Sequence, residues 1–62
     1  MTPAMLHILA LASEGLSKKQ IAAERRTSES TVKHQCWYMF QVLGADNMAH
    51  AVALALRRGI IK

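Results

Sequence analysis

Residues 27–43 read Thr-Ser-Glu-Ser-Thr-Val-Lys-His-Gln-Cys-Trp-Tyr-Met-Phe-Gln-Val-Leu, and the rest of the chain is organised around this stretch. At about 3.6 residues per turn, Ser30, Lys33, His34, Trp37 and Gln41 fall within roughly a third of a helix circumference. Val32, Cys36, Met39 and Leu43 fall on the opposite side. The pattern predicts one helix with two unlike faces. One can bury, and the other offers donors, a cation and an aromatic plane to something outside. Ser28 is expected to cap its start, with Gly44 in its C-terminal turn.

Upstream, Ser17 and Gln20 have the spacing of a capping box, and Leu16 and Ile21 that of a hydrophobic staple. They predict a short helix, about Lys18 to Arg25, with Ile21 and Ala22 inward. Arg25, Arg26 and Thr27 carry no apolar anchor and read as a turn. Further upstream, Thr2 can cap a helix whose first residue is Pro3, and Gly15 suits the left-handed residue that closes it near Glu14. Met5, Leu6, Ile8, Leu9, Leu11 and Ala12 leave this first helix little polar surface. The surplus can serve a partner or simply enlarge a small core. Downstream, Asp46 is expected to cap a fourth helix, about Asn47 to Arg58. Met48, Ala51, Val52 and Ala55 line one face with Leu56 flanking it, and His50, Leu54 and Arg57 lie on the other. Arg57 and Arg58 suit the negative end of the helix dipole, and Gly59 can stop the helix.

The chain has 62 residues, which bounds it to one domain, 1–62, near the lower limit for a self-sufficient core. Its single Cys excludes an internal disulfide and fits a reducing compartment, so a cytoplasmic location is expected. No secretion signal is visible, and no apolar run approaches the ~20 residues of a membrane span. Eight Lys and Arg against four acids give a formal charge of +4. That excess suits a polyanion such as nucleic acid or an acidic protein surface, and equally a solvated surface with no such partner.

Two helices around a tight turn, the second with a polar outward face, form a helix-turn-helix, whose second helix normally enters the DNA major groove. Further residues carry a closer likeness: Thr2-Pro3, Ile8-Leu9, Glu14-Gly15-Leu16-Ser17, Lys19, Ile21-Ala22-Ala23, Ser28-Glu29, Thr31-Val32-Lys33, Leu43-Gly44 and Ala51 to Leu56. In these blocks, spaced without gaps from Thr2 to about Ile60, the chain resembles the LuxR/GerE-type DNA-binding domain. The resemblance implies an all-α, four-helix helix-turn-helix module, here taken as stand-alone, that binds double-stranded DNA and regulates transcription. It implies base contacts from Lys33, His34 and Trp37, with Thr31 and Lys19 near the phosphate backbone. It also implies a homodimer through the fourth helix, with His50, Leu54 and Arg57 as interface candidates. Lys18, Arg25 and Arg26 are expected to add phosphate contacts.

The departures from that family fall mostly on the outward face. Met5 stands where the family has Glu, and Arg25 and Thr27 where it has inward Leu and Ile. Gln35 replaces a usual His, Trp37-Tyr38 replace small polar or basic residues, and Gln41-Val42 replace a basic pair. Lys33 therefore remains the clearest base-reading candidate, since Lys can donate to guanine O6 and N7. His34 can touch a base or phosphate, or cover the exposed face. Trp37 can pack on a sugar or thymine methyl, serve a protein interface, or fold over Lys and Arg stems. Tyr38 reads as structural or interfacial. The rival reading is a protein-interaction module of the same fold that pairs with a related regulator and blocks it without binding DNA.

Cys36 faces inward as a small apolar filler. It diverges from His34 by about 160° on the helix, so no metal site is expected. No nucleophile with a base, phosphate-cradling glycine loop or carboxylate pair is present, and neither an enzyme nor a cofactor is expected.

Overall fold

The computed structural model describes residues 1–62 as four helices and no strands: α1 (Pro3–Ser13), α2 (Lys18–Glu24), α3 (Glu29–Leu43) and α4 (Met48–Arg57). The starts of α1, α2 and α3 are capped as the sequence predicts. The Thr2 hydroxyl accepts from the Met5 N–H at 3.2 Å. Around Ser17 the capping box is complete: the Gln20 N–H donates to Ser17 Oγ at 3.2 Å, and the Ser17 N–H donates to Gln20 Oε1 at 2.8 Å. Ser28 Oγ accepts from the Thr31 N–H at 3.1 Å. Each bond satisfies an N–H that the first helical turn leaves open.

The fourth cap differs. Asn47, not Asp46, is the N-cap of α4, so the helix starts and ends one residue away from the expected Asn47 and Arg58. Both residue types cap well. The backbone decides between them: Asn47 is extended, and its Oδ1 accepts from the His50 N–H at 2.8 Å.

The α2–α3 turn is tight. The Thr27 N–H bonds back to the Ala22 carbonyl at 2.9 Å, and Arg26 takes a left-handed φ of 55°. That conformation usually belongs to glycine and is strained for a side chain as long as Arg. α3 ends at Gly44, whose φ of 72° closes the helix without that strain.

The core draws on all four helices: Ile8 and Leu9 from α1, Ile21 and Ala22 from α2, Val32, Cys36, Met39 and Leu43 from α3, and Ala51 and Ala55 from α4. The expected inward face of α3 is therefore the buried one. α1 packs against the three other helices, with Met5, Leu11 and Ala12 partly buried against the core. No large apolar side chain of α1 is left exposed. Much of the apolar surplus of α1 thus enlarges the core. Ile61 joins the core from beyond α4, where the chain turns back and the Ile60 N–H bonds to the Ala55 carbonyl at 2.8 Å.

The expected inward face of α4 is the inward one, with Ala51 and Ala55 buried and Met48 and Val52 packed against the core, but its two flanking leucines differ from expectation. Leu54 packs partly against the core, whereas Leu56 stands 48 % exposed. From Ala51 to Leu56 every residue is apolar, so periodicity could not place these two leucines.

Candidate nucleic-acid interface

With Val32, Cys36, Met39 and Leu43 turned inward, the helical period leaves Lys33, His34 and Trp37 on the outside of α3, and all three are exposed. The structure thus brings the three expected base-reading residues onto one face. Lys33 Nζ lies 3.5 Å from Glu29 Oε2, one turn earlier on the same helix. Both side chains are about half in solvent, so this pair holds weakly and releases easily. Trp37 is 57 % exposed and Tyr38 50 %.

The flanking groups divide. Lys19 and Arg26 are exposed, on α2 and in the turn that follows it. Thr31 is exposed, and its Oγ1 lies 2.7 Å from Ser28 Oγ, so its hydroxyl is partly occupied by the cap. Lys18 is half-buried. Its charge acts on Cys36, whose thiol burial pushes up from its ordinary pKa while Lys18 opposes the shift. Burial prevails, so Cys36 stays a protonated, apolar filler, as its inward position predicts. His34 is exposed and Cys36 buried, so the two do not converge.

Arg25 departs most from a free cation. It takes the inward position at the end of α2, and its guanidinium reaches across to α1, where Nη1 donates to His7 Nδ1 at 2.6 Å. His7 therefore presents an unprotonated Nδ1 there. Arg25 Nε is buried without a partner. An orphaned donor of this kind costs about 1–3 kcal/mol, while an exposed His loses little when its partner goes. Arg25→Leu is accordingly expected to raise stability by about 1 kcal/mol, and the thermal midpoint by roughly 4–8 °C. A helical circular dichroism melt checks it; a lower midpoint would mean that the His7 contact outweighs the orphan.

On α4, Arg57 is exposed, while His50 and Leu54 are half-buried. His50 Nδ1 accepts the Asp46 backbone N–H at 3.1 Å, and the Asp46 carboxylate stands 3.8 Å from the same nitrogen. The two approaches meet at one ring nitrogen, which accepts the backbone N–H when it carries no proton and faces the carboxylate when it does. Leu56, expected to flank the inward face, is exposed beside these residues.

A family model described as "Bacterial regulatory proteins, luxR family" matches residues 1–55. The transcriptional regulatory protein YdfI of Bacillus subtilis (strain 168) is 35 % identical over 54 residues, covering 87 % of this chain and 25 % of YdfI. Among solved structures, the response regulator ChrA of a heme-sensing two-component system superposes with a TM-score of 0.94 at 33 % identity. That match covers 97 % of this chain and 30 % of ChrA. The chain thus spans about a quarter to a third of the length of these relatives.

Proposed function

The chain belongs to the luxR family of bacterial regulatory proteins, and from that premise we propose that it is a sequence-specific DNA-binding regulator of transcription, with α3 in the major groove. It is a regulatory domain and not an enzyme. One observation carries the proposal: α3 buries one face completely and holds Lys33, His34 and Trp37 in solvent on the other. A groove about 12 Å wide admits a helix presented in this way. Lys33 donates to a base edge, and His34 and Trp37 meet bases beside it. Lys18, Lys19, Arg26 and Thr31 hold the phosphates, as Arg25 does if it leaves His7. A second copy docks through α4, where His50, Leu54 and Arg57 are joined by the exposed Leu56. Two copies then read two half-sites about one helical turn apart. No helix is long and apolar enough to cross a membrane. A cytoplasmic location follows from the proposed DNA partner.

A second reading has its own support. Trp37, Tyr38 and Val42 are 57 %, 50 % and 60 % exposed, an apolar content that suits a protein surface. In that reading the domain pairs with a related regulator and antagonises it without touching DNA.

Salt separates the two. DNA binding releases counterions, and three phosphate-bound cations (Lys18, Lys19, Arg26) give a slope of log K against log salt of about −2.7 per protomer. Affinity is then expected to fall by roughly 40-fold per protomer between about 50 and 200 mM salt. Fluorescence polarisation with random and genomic duplexes measures it. Arg25→Leu should leave the slope unchanged if Arg25 stays on His7, and reduce it by about one if Arg25 reaches phosphate. Absence of binding at low salt would sink the DNA reading, and a folded monomer that binds no protein would sink its rival.

A further inference from the structure

Three rings stand together on the outward side of α3. Tyr38 follows His34 by four residues and Trp37 by one. Side chains on a helix lean back over the preceding turn, so the Tyr38 ring reaches His34 one turn earlier. The His34 and Tyr38 centroids are 5.3 Å apart, with planes at 73°. The Trp37 and Tyr38 centroids are 5.2 Å apart, with planes at 83°. Both are edge-to-face contacts, the arrangement that ring quadrupoles favour. Tyr38 is the member common to both pairs.

Core packing does not explain Tyr38, which is half exposed and lies outside the buried cluster. We propose that Tyr38 is a positioning residue, which holds Trp37 and His34 in a fixed arrangement for presentation to DNA. The proposal rests on the DNA reading above. Without the Tyr38 ring, Trp37 and His34 each sample several rotamers, and binding must order them. With it, an indole plane and an imidazole stand fixed at about 4.5 Å of rise along one helix. The indole suits the thymine C5-methyl, and the imidazole an acceptor or donor on a neighbouring base edge. Tyr38 itself need touch neither base.

Trp37 is the chain's only Trp, so its emission reports this site alone. The test compares Tyr38→Ala, which deletes the ring, with Tyr38→Phe, which keeps it. In the free protein, time-resolved anisotropy of Trp37 should show added fast local motion in Tyr38→Ala and none in Tyr38→Phe. Helical circular dichroism confirms that both remain folded. The DNA probe is a duplex that wild-type protein selects from a random-sequence pool, with each thymine then replaced in turn by uracil. Wild type and Tyr38→Phe should bind alike and lose affinity where the methyl of one thymine is removed. Tyr38→Ala should bind about three- to tenfold more weakly, with an unchanged salt slope and a smaller loss on that uracil. Unchanged Trp37 motion in Tyr38→Ala, or equal DNA affinity, overturns the proposal. A Tyr38→Phe variant as weak as Tyr38→Ala assigns the effect to the hydroxyl and overturns it too. If the pool yields no duplex at low salt, the DNA reading falls and takes the presentation role with it. The anisotropy result still decides whether Tyr38 fixes Trp37, so the two failures can be told apart.

Discussion

Met39→Ala is expected to remove most of the domain's stability. Met39 lies fully buried on α3, the helix that touches the three others. Truncating a buried Met to Ala costs about 2–5 kcal/mol, through lost transfer energy and the cavity left behind. A domain of 62 residues has only about 3–9 kcal/mol to lose, at roughly 0.05–0.15 kcal/mol per residue. At mid-range about 3.5 kcal/mol is lost from about 6, so the urea midpoint should fall by more than half. Urea titration followed by helical circular dichroism measures it. Trp37 fluorescence is the poorer probe, because the indole is already 57 % exposed in the folded chain. Val42→Ala on the same helix is the control. Its side chain is 60 % exposed, and its change should stay within about 0.5 kcal/mol. If Met39→Ala shifts stability no more than Val42→Ala does, the core is not where the structure places it.

What could be read from the chain, and what could not, follows from the range of the interactions involved. The inward face of α3 is local information: four apolar residues at helical spacing, opposite a polar set, with Ser28 and Gly44 at the ends. The caps at Thr2, Ser17 and Ser28 are local too, because each hydroxyl meets an N–H three residues on. At α4 two good capping residues are adjacent, and only backbone conformation chooses Asn47 over Asp46. The unbroken apolar run from Ala51 to Leu56 hides which of Leu54 and Leu56 faces the core. Ile61 is the second of two isoleucines past Gly59, and its burial depends on the chain turning back.

The candidate interface divides in the same way. Lys33, His34 and Trp37 share a face because helical period alone puts them there. Arg25 could not be placed, because its partner His7 lies 18 residues away on another helix. Its neighbour Arg26 is exposed in the left-handed conformation that makes the turn. Two adjacent arginines, equivalent in the sequence, thus have different roles: one ties α2 to α1, and the other stands free near α3.

Lys33→Ala is expected to weaken binding to the selected DNA site by about 1–3 kcal/mol, or roughly 5- to 150-fold, if Lys33 donates to a base. The variant is clean because the folded chain asks little of Lys33. Its one ionic partner is Glu29 at 3.5 Å, and exposed pairs of this spacing are worth about 0.3–0.5 kcal/mol. Loss of that pair should barely move a thermal melt, so a fall in affinity is a binding effect and not a folding one. The same magnitude explains why the Glu29 contact does not withhold Lys33 from DNA: a bond worth a few tenths of a kcal/mol is exchanged for one worth several times more. Salt then separates two kinds of contact. A base contact leaves the salt slope of Lys33→Ala unchanged and relaxes the preference for guanine at one position of the site. A phosphate contact lowers the slope by about one and weakens all sequences alike. Fluorescence polarisation at several fixed salt concentrations distinguishes them. Wild-type affinity in Lys33→Ala would remove Lys33 from the reading face and leave recognition to the aromatic residues beside it.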